Sequence, residues 1–304
     1  NALAHHTIEL DIWPWEPESG KGALRAAVLR ASHTTGEVLV TLVVGGKNPR
    51  LGQLAEALAG SVSEVVGVWL HHNDEPGNSI FTRDEGGGVP VARLVGKATI
   101  EERLGGVSYD VGPGDFFQTN PAMAEVLYAR TIEALGLEEG VPLVDLYSGV
   151  GGLALPAAKI TGWALGVEEV EGAVVRARES ARRQQIPAEF VVGQVFEELP
   201  ELARRLAAAR PVVAVNPARR GLEPGVIEGI LSLDPRRVGY VSCNPQALAA
   251  DLAVFVSAGF TVRELELFDM FPHTPHVEVL AVLEAPSSAP ASSRAPRRRK
   301  VGGA

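Results

Sequence analysis

The sequence predicts an α/β fold: a doubly wound, mostly parallel, seven-stranded sheet with a smaller α+β region ahead of it. Three observations carry this. Between about residues 120 and 284, short apolar runs alternate five times with longer amphipathic runs. The series then ends in two strand-like runs with no helix between them. The first apolar run, PLVDLY, leads straight into the glycine-rich SGVGG. Such alternation builds βαβ units, whose parallel strands need helical crossovers. A last strand reached without a helix is expected to run antiparallel.

In the first region, ALRAAVLRAS and EVLVTLVVGG read as strands around a turn from Ser32 to Gly36. PRLGQLAEALAG reads as a short amphipathic helix ending at Gly60, and VVGVWLHH as a strand. HNDEPGNS and DEGGG carry the residues of loops. VSYDVGPGDFFQTN reads as a lead into the second region. There, Asn120-Pro121 opens a helix to about Leu135, with Asn as cap and Pro at the first position. Strands PLVDLY, WALGVE, EFVVG, PVVAVN and RVGYVS each precede a helix: LALPAAKI, EVEGAVVRARESARRQQ, EELPELARRLAAA, EPGVIEGILSL and PQALAADLAVFVSAG. TVRELELFD and HVEVLAVLE close the series. The expected division is an α+β region over 1–115, the doubly wound domain over 116–285, and a disordered basic tail over 286–304. That tail is low in complexity and cannot build a core.

The 304 residues are 46% hydrophobic and 21% charged, enough for one large or two ordinary domains. No run approaches the roughly 20 apolar residues of a membrane span, so no membrane partner is expected. NALAHHTIELDIW lacks the plan of a signal peptide. It does not begin with Met, so the chain reads as a piece of something longer. The single cysteine, Cys243, excludes an intrachain disulfide and a four-cysteine zinc or iron–sulfur site. It fits a reducing, cytoplasmic setting. Net charge is −9, and the last 20 residues hold five basic residues and no acid. Polyanion-binding proteins are usually basic, so any such site here must be local.

Four motifs carry chemistry. Asp145-Leu-Tyr-Ser-Gly149-Val-Gly151-Gly152 follows the first buried strand, where glycines let the backbone approach a ligand at a helix start. Glu168 ends the next strand, a place that suits ribose hydroxyls. Nicotinamide and S-adenosylmethionine enzymes both fit. Leu153-Ala154-Leu155 breaks the dinucleotide spacing, and with the two closing strands this favours S-adenosylmethionine. Val215-Asn216-Pro217-Ala218-Arg219-Arg220-Gly221 ends the fourth strand, either beside the cofactor crevice or as a plain turn. Cys243, in SCNPQALAADL, stands where the fifth strand hands over to a helix. A helix start favours the thiolate, so its pKa is expected below the usual ~8.5. A lone cysteine is otherwise ordinarily inert. Glu278, in DMFPHTPHVE, opens an apolar strand, as a functional acid or an exposed edge carboxylate. Pro272 and Pro275 disfavour an H-x-x-H-x-E metal site. His5-His6, His71-His72, Trp13 and Trp15 read as surface or packing residues. Arg219 and Arg220 read as phosphate contacts or local caps.

Taken together, SCNPxxLAxDL, DxFPxTxHVE, FFQxN, DLYxGxG and NPxR resemble the RNA uracil-5-methyltransferases. These enzymes use S-adenosylmethionine to make 5-methyluridine in tRNA and 23S rRNA. The resemblance spans about Leu24 to Glu284 and is densest from Phe116 onward. It implies a Rossmann-like methyltransferase sheet, S-adenosyl-L-methionine as cofactor, an RNA substrate (tRNA or 23S rRNA), and a monomer. No metal or cluster is expected in this chain. Cys243 matches the nucleophile and Glu278 the base. Gln118, Tyr147, Gly149, Gly152 and Glu168 match cofactor contacts. Gln194 and Asn216 match two more, where the family usually has Asp; these departures put cofactor geometry at issue. The family's RNA-binding barrel and its four-cysteine iron–sulfur cluster are absent from this chain and are expected upstream of Asn1. Residues 1–115 would then lie on the RNA side.

The chemistry of these residue types agrees. Carbon 5 of uracil is a poor nucleophile. A thiolate adding to carbon 6 makes carbon 5 enolate-like, and a base must then remove its proton before the thiol leaves. The target base must first leave any stack. Two other readings stay open: a different S-adenosylmethionine enzyme with a structural Cys243, or a catalytically silent RNA-binding protein.

Overall fold

The structure, a computed structural model, describes residues 1–286. The Arg297–Lys300 run of the expected tail lies outside the described residues. The N-terminal unit contains α1 (Ala2–Glu9), β1 (Leu24–Ala31), β2 (Val38–Val44), α2 (Leu51–Ser61), β3 (Val65–His72) and β4 (Ala92–Gly96). The four strands form one sheet in the order β1-β2-β3-β4, with only β2 and β3 parallel. Leu51, Leu54, Ala55 and Leu58 of α2 recur at helical spacing and bury against Leu42, Val44 and Val68. α1 and β4 were not expected from the sequence. α1 buries no residue, and β4 has none fully buried, so neither shows an apolar period.

A hairpin follows, β5 (Ile100–Leu104) and β6 (Val107–Val111). Gly105 and Gly106 turn it at φ +57° and +73°, the left-handed pair that a two-residue hairpin requires. Its Leu104, Val107, Tyr109 and Val111 join the core of the larger unit.

That unit runs α3 (Pro121–Leu135), β7 (Leu143–Leu146), α4 (Ala154–Thr161), β8 (Ala164–Glu168), α5 (Glu171–Gln184), β9 (Ala188–Val192), α6 (Val195–Arg205), β10 (Val212–Val215), α7 (Val226–Ser232), β11 (Arg237–Ser242), α8 (Pro245–Ser257), β12 (Thr261–Phe268) and β13 (Glu278–Glu284). The sheet order is β12-β13-β11-β10-β7-β8-β9. The five strands from β11 to β9 are parallel, and β13 is antiparallel to both neighbours. The doubly wound, mostly parallel seven-stranded sheet is therefore present, with its final strand reversed as expected. The last strand does not take the edge, however. β13 is buried along nearly its whole length, so it needs a neighbour on each side. β12 alternates exposed and half-buried positions and has only Phe268 fully buried, which suits an edge. Separate apolar cores cover the two faces of the sheet.

The two units are joined by polar side chains. Arg30 donates to the Asp115 carbonyl at 2.5 Å, and the Asp115 carboxylate pairs with Arg176 of α5. Ser32 donates to the Glu101 carbonyl at 2.7 Å. No helix among the described residues is long and apolar enough to cross a membrane.

Candidate active site

Parallel strands bring their C-terminal ends to one edge of the sheet, and ligands bind there, where the winding reverses. Here that point lies between β7 and β10. Because β13 runs antiparallel, its first residue comes to the same edge. The strand order therefore sets the candidate residues in a row. Glu278 opens β13, Cys243 follows β11, Asn216 follows β10, the glycine turn follows β7, Glu168 ends β8, and Gln194 follows β9.

The β11–β13 ladder pairs Ser242 with Val279. One residue further, the same register sets Cys243 opposite Glu278. Glu278 is 5% exposed, and its Oε2 has no hydrogen-bond partner. Burial without a partner disfavours the carboxylate, and its pKa is pushed up to about 7.

The Cys243 thiol corrects the sequence expectation. Its pKa is raised, not lowered, by burial and by the nearby Glu278 charge, with Arg219 opposing. The helix start that should have favoured the thiolate is already occupied. Asn244 is the cap of α8, and its side chain accepts from the amides of Gln246 at 3.1 Å and Ala247 at 3.3 Å. Cys243 lies one residue before that cap. Arg219 joins both sides of the pair: its carbonyl accepts from Asn244 Nδ2 at 2.9 Å, and its Nη2 donates to His276 Nδ1 at 3.3 Å.

Beside this pair is an open cleft walled by Phe116, Phe117, Tyr128, Asp145, the Tyr147–Leu153 turn and Asn216. Tyr147 takes φ +65° and turns its side chain into the core, where the buried hydroxyl has no partner. Glu168 is not part of the cleft wall but adjoins its glycine turn. Its Oε2 accepts from the Gly149 amide and its Oε1 from the Val170 amide, both at 2.9 Å, so it fixes the glycine turn. Burial raises its pKa against these donors. Gln118 is 5% exposed, with an unpartnered Nε2. Gln194 is exposed at the cap of α6, and its side chain makes no capping bond. Neither Gln118 nor Gln194 is part of the cleft wall.

Sequence reasoning passed over Asp145 as a site residue. It is 2% exposed, its pKa is pushed up to about 7 by burial, and its Oδ2 accepts from the Ala154 amide at 2.9 Å at the start of α4. The signal was an acid inside the otherwise apolar LVDL. Tyr128 had no such signal, being one apolar-face residue of a helix. Among the described residues, the one close group of metal-type ligand atoms is His5, His6 and Glu9 on α1. His273, His276 and Glu278 do not form one.

A family model described as tRNA (uracil-5-)-methyltransferase matches residues 99–285. An uncharacterized RNA methyltransferase of Caldanaerobacter subterraneus is 35% identical over 278 residues, 91% of this chain and 60% of its own length. Another, from Gloeobacter violaceus, is 35% identical over 286 residues, covering 93% of this chain and 60% of its own length. Among solved structures, the Pyrococcus abyssi tRNA (uracil-54, C5)-methyltransferase in complex with S-adenosyl-L-homocysteine aligns with a TM-score of 0.74 at 30% identity. That alignment covers 93% of this chain and 65% of the other. The chain thus spans about 60% of the length of the curated relatives it matches.

Proposed function

The chain belongs to the tRNA (uracil-5-)-methyltransferase family, and from that premise we propose that it methylates carbon 5 of a uridine in RNA through a covalent Cys243–uracil link. The substrate is a tRNA or 23S rRNA, and the protein acts as a monomer in the cytoplasm. One observation carries this reading: a single ladder sets a thiol and a buried, unpartnered carboxylate opposite each other beside a glycine-walled cleft.

The cleft residues fit S-adenosylmethionine. A side-chain carbon on Gly152 would stand 3.0 Å from the Tyr128 hydroxyl, so only a bare backbone leaves that wall open. Ser148 Oγ, in the cleft wall, is a buried polar atom still lacking a partner. When bound, S-adenosylmethionine supplies an electrophilic methyl group. Cys243 gives its thiol proton to solvent and bonds through Sγ to carbon 6 of the uracil, which moves electron density onto carbon 5, where the methyl group would be accepted. Arg219, whose charge favours the thiolate, stands beside that attack. Glu278 then takes the carbon 5 proton, the double bond reforms, and Cys243 leaves. A carboxyl with a pKa near 7 is suited to accept a proton at neutral pH.

The test is RNA containing 5-fluorouridine, which has no proton for Glu278 to remove. The wild type should form an adduct that survives denaturation, and Cys243→Ala should form none. An adduct-free wild type that still methylates would favour an enzyme with a structural Cys243. Glu168→Ala should weaken S-adenosylhomocysteine binding by about 1.5–3 kcal/mol, because the variant loses a ribose partner and the clamp on Gly149. Unchanged affinity by titration calorimetry would remove Glu168 from the cofactor site.

A further inference from the structure

We propose that Tyr128 binds the cofactor, its hydroxyl donating to the α-carboxylate at the methionyl end of S-adenosylmethionine; this rests on the reading above. Tyr128 is on α3, whose capping residue Asn120 donates from Nδ2 to the Met270 carbonyl at 3.1 Å. That bond ties the helix to the segment ahead of Glu278. Tyr128 is 9% exposed, and a tyrosine so buried ordinarily finds a hydrogen-bond partner. Tyr109, the other tyrosine at Gly152, does so by donating to the Gly152 carbonyl at 3.2 Å. The Tyr128 hydroxyl has no hydrogen-bond partner among the described residues. It lies beside bare Gly152 and forms part of the cleft wall.

The strand order identifies which part of the ligand meets it. Glu168, at the end of β8, is the ribose position, while Cys243 and Glu278 lie on the far side of β10. A methyl group aimed at the uracil must face that far side. The sulfur therefore stands between β7 and β10. The remaining arm, the aminocarboxypropyl group, falls to the wall formed by Asp145, Tyr128 and Leu153. The phenol stays a neutral donor there. Burial and the charges of Asp145 and Glu278 all hold its pKa well above the usual value. A neutral donor suits the carboxylate of the arm and is no preferred partner for its ammonium group.

The experiment is titration calorimetry on the wild type and Tyr128→Phe, with S-adenosylhomocysteine and with its decarboxylated analogue. The substitution removes one oxygen and keeps the ring. The variant should bind S-adenosylhomocysteine roughly 10–100-fold more weakly, the scale of one hydrogen bond to a charged group. Its affinity for the decarboxylated analogue should equal that of the wild type. Equal losses on both ligands, or no loss on either, overturn the assignment. A folded wild type that binds neither ligand overturns the S-adenosylmethionine reading, and the assignment with it. If Tyr128→Phe does not fold, the wild type gives the second measurement. A preference of less than about threefold for the carboxylated ligand would then overturn the assignment.

Discussion

Cys243→Ala is expected to bring 5-methyluridine formation down to background while S-adenosylhomocysteine binds with unchanged affinity. Without the thiol, carbon 5 of uracil is never activated. Loss of a covalent nucleophile costs on the order of 10⁴-fold or more in rate. Binding should survive because Cys243 is not part of the cleft wall. Folding should survive as well, since the thiol caps nothing: Asn244 holds the start of α8 by itself. The two measurements are methyl incorporation into RNA and titration calorimetry. Turnover within about 100-fold of the wild type would make Cys243 a bystander and favour another chemistry on the same fold.

Glu278→Gln is expected to strand the reaction after methylation. The glutamine cannot take the carbon 5 proton, so the link to Cys243 persists. A denaturing gel with ordinary uridine RNA should then show a protein band carrying RNA. The same substitution should stabilise the protein at high pH. In the folded chain the Glu278 pKa is raised to about 7 from an ordinary 4.5. A raised carboxyl pKa means that the fold prefers the protonated acid. Its contribution to stability is fully present below pH 4.5 and is lost as the pH rises through 7. At pH 8 the wild type carries a buried charge with no partner, and Glu278→Gln should be more stable by about 1–3 kcal/mol. Near pH 4.5 the gap should close. Thermal melts at the two pH values read the difference. A variant that turns over normally and melts like the wild type at pH 8 would strip Glu278 of the role.

Much of this was legible in the sequence, for identifiable reasons. Buried parallel strands such as PVVAVN and amphipathic helices such as EVEGAVVRARESARRQQ alternate too regularly to be read otherwise. The β5–β6 hairpin carried a signal in Gly105-Gly106, but Ile100–Leu104 and Val107–Val111 are short, and their pattern reads equally as a connection. α1 left no trace, because a helix that buries nothing has no apolar stripe. The insertion of β13 between β11 and β12 depends on long-range pairing, which no local window contains. In the candidate site, Cys243 and Glu278 stood out in the sequence as a thiol and an acid in turn-forming or apolar surroundings. The direction of the Cys243 shift did not, because it depends on burial and on Glu278, which only the folded sheet brings near. Tyr128 was invisible for a similar reason: its role depends on Gly152, 24 residues later, having no side chain.

The setting of Cys243 has a consequence for its exposure to oxidants. Peroxide and disulfides attack thiolates, not thiols. Burial and the nearby Glu278 charge both disfavour the Cys243 thiolate. Sulfenic acid formation at the lone cysteine is therefore expected to be slow when no substrate is bound. On the proposed mechanism its reactivity would be called on only when a uracil occupies the space between Cys243 and Glu278. The burial that disfavours the thiolate would then also act as protection against oxidation.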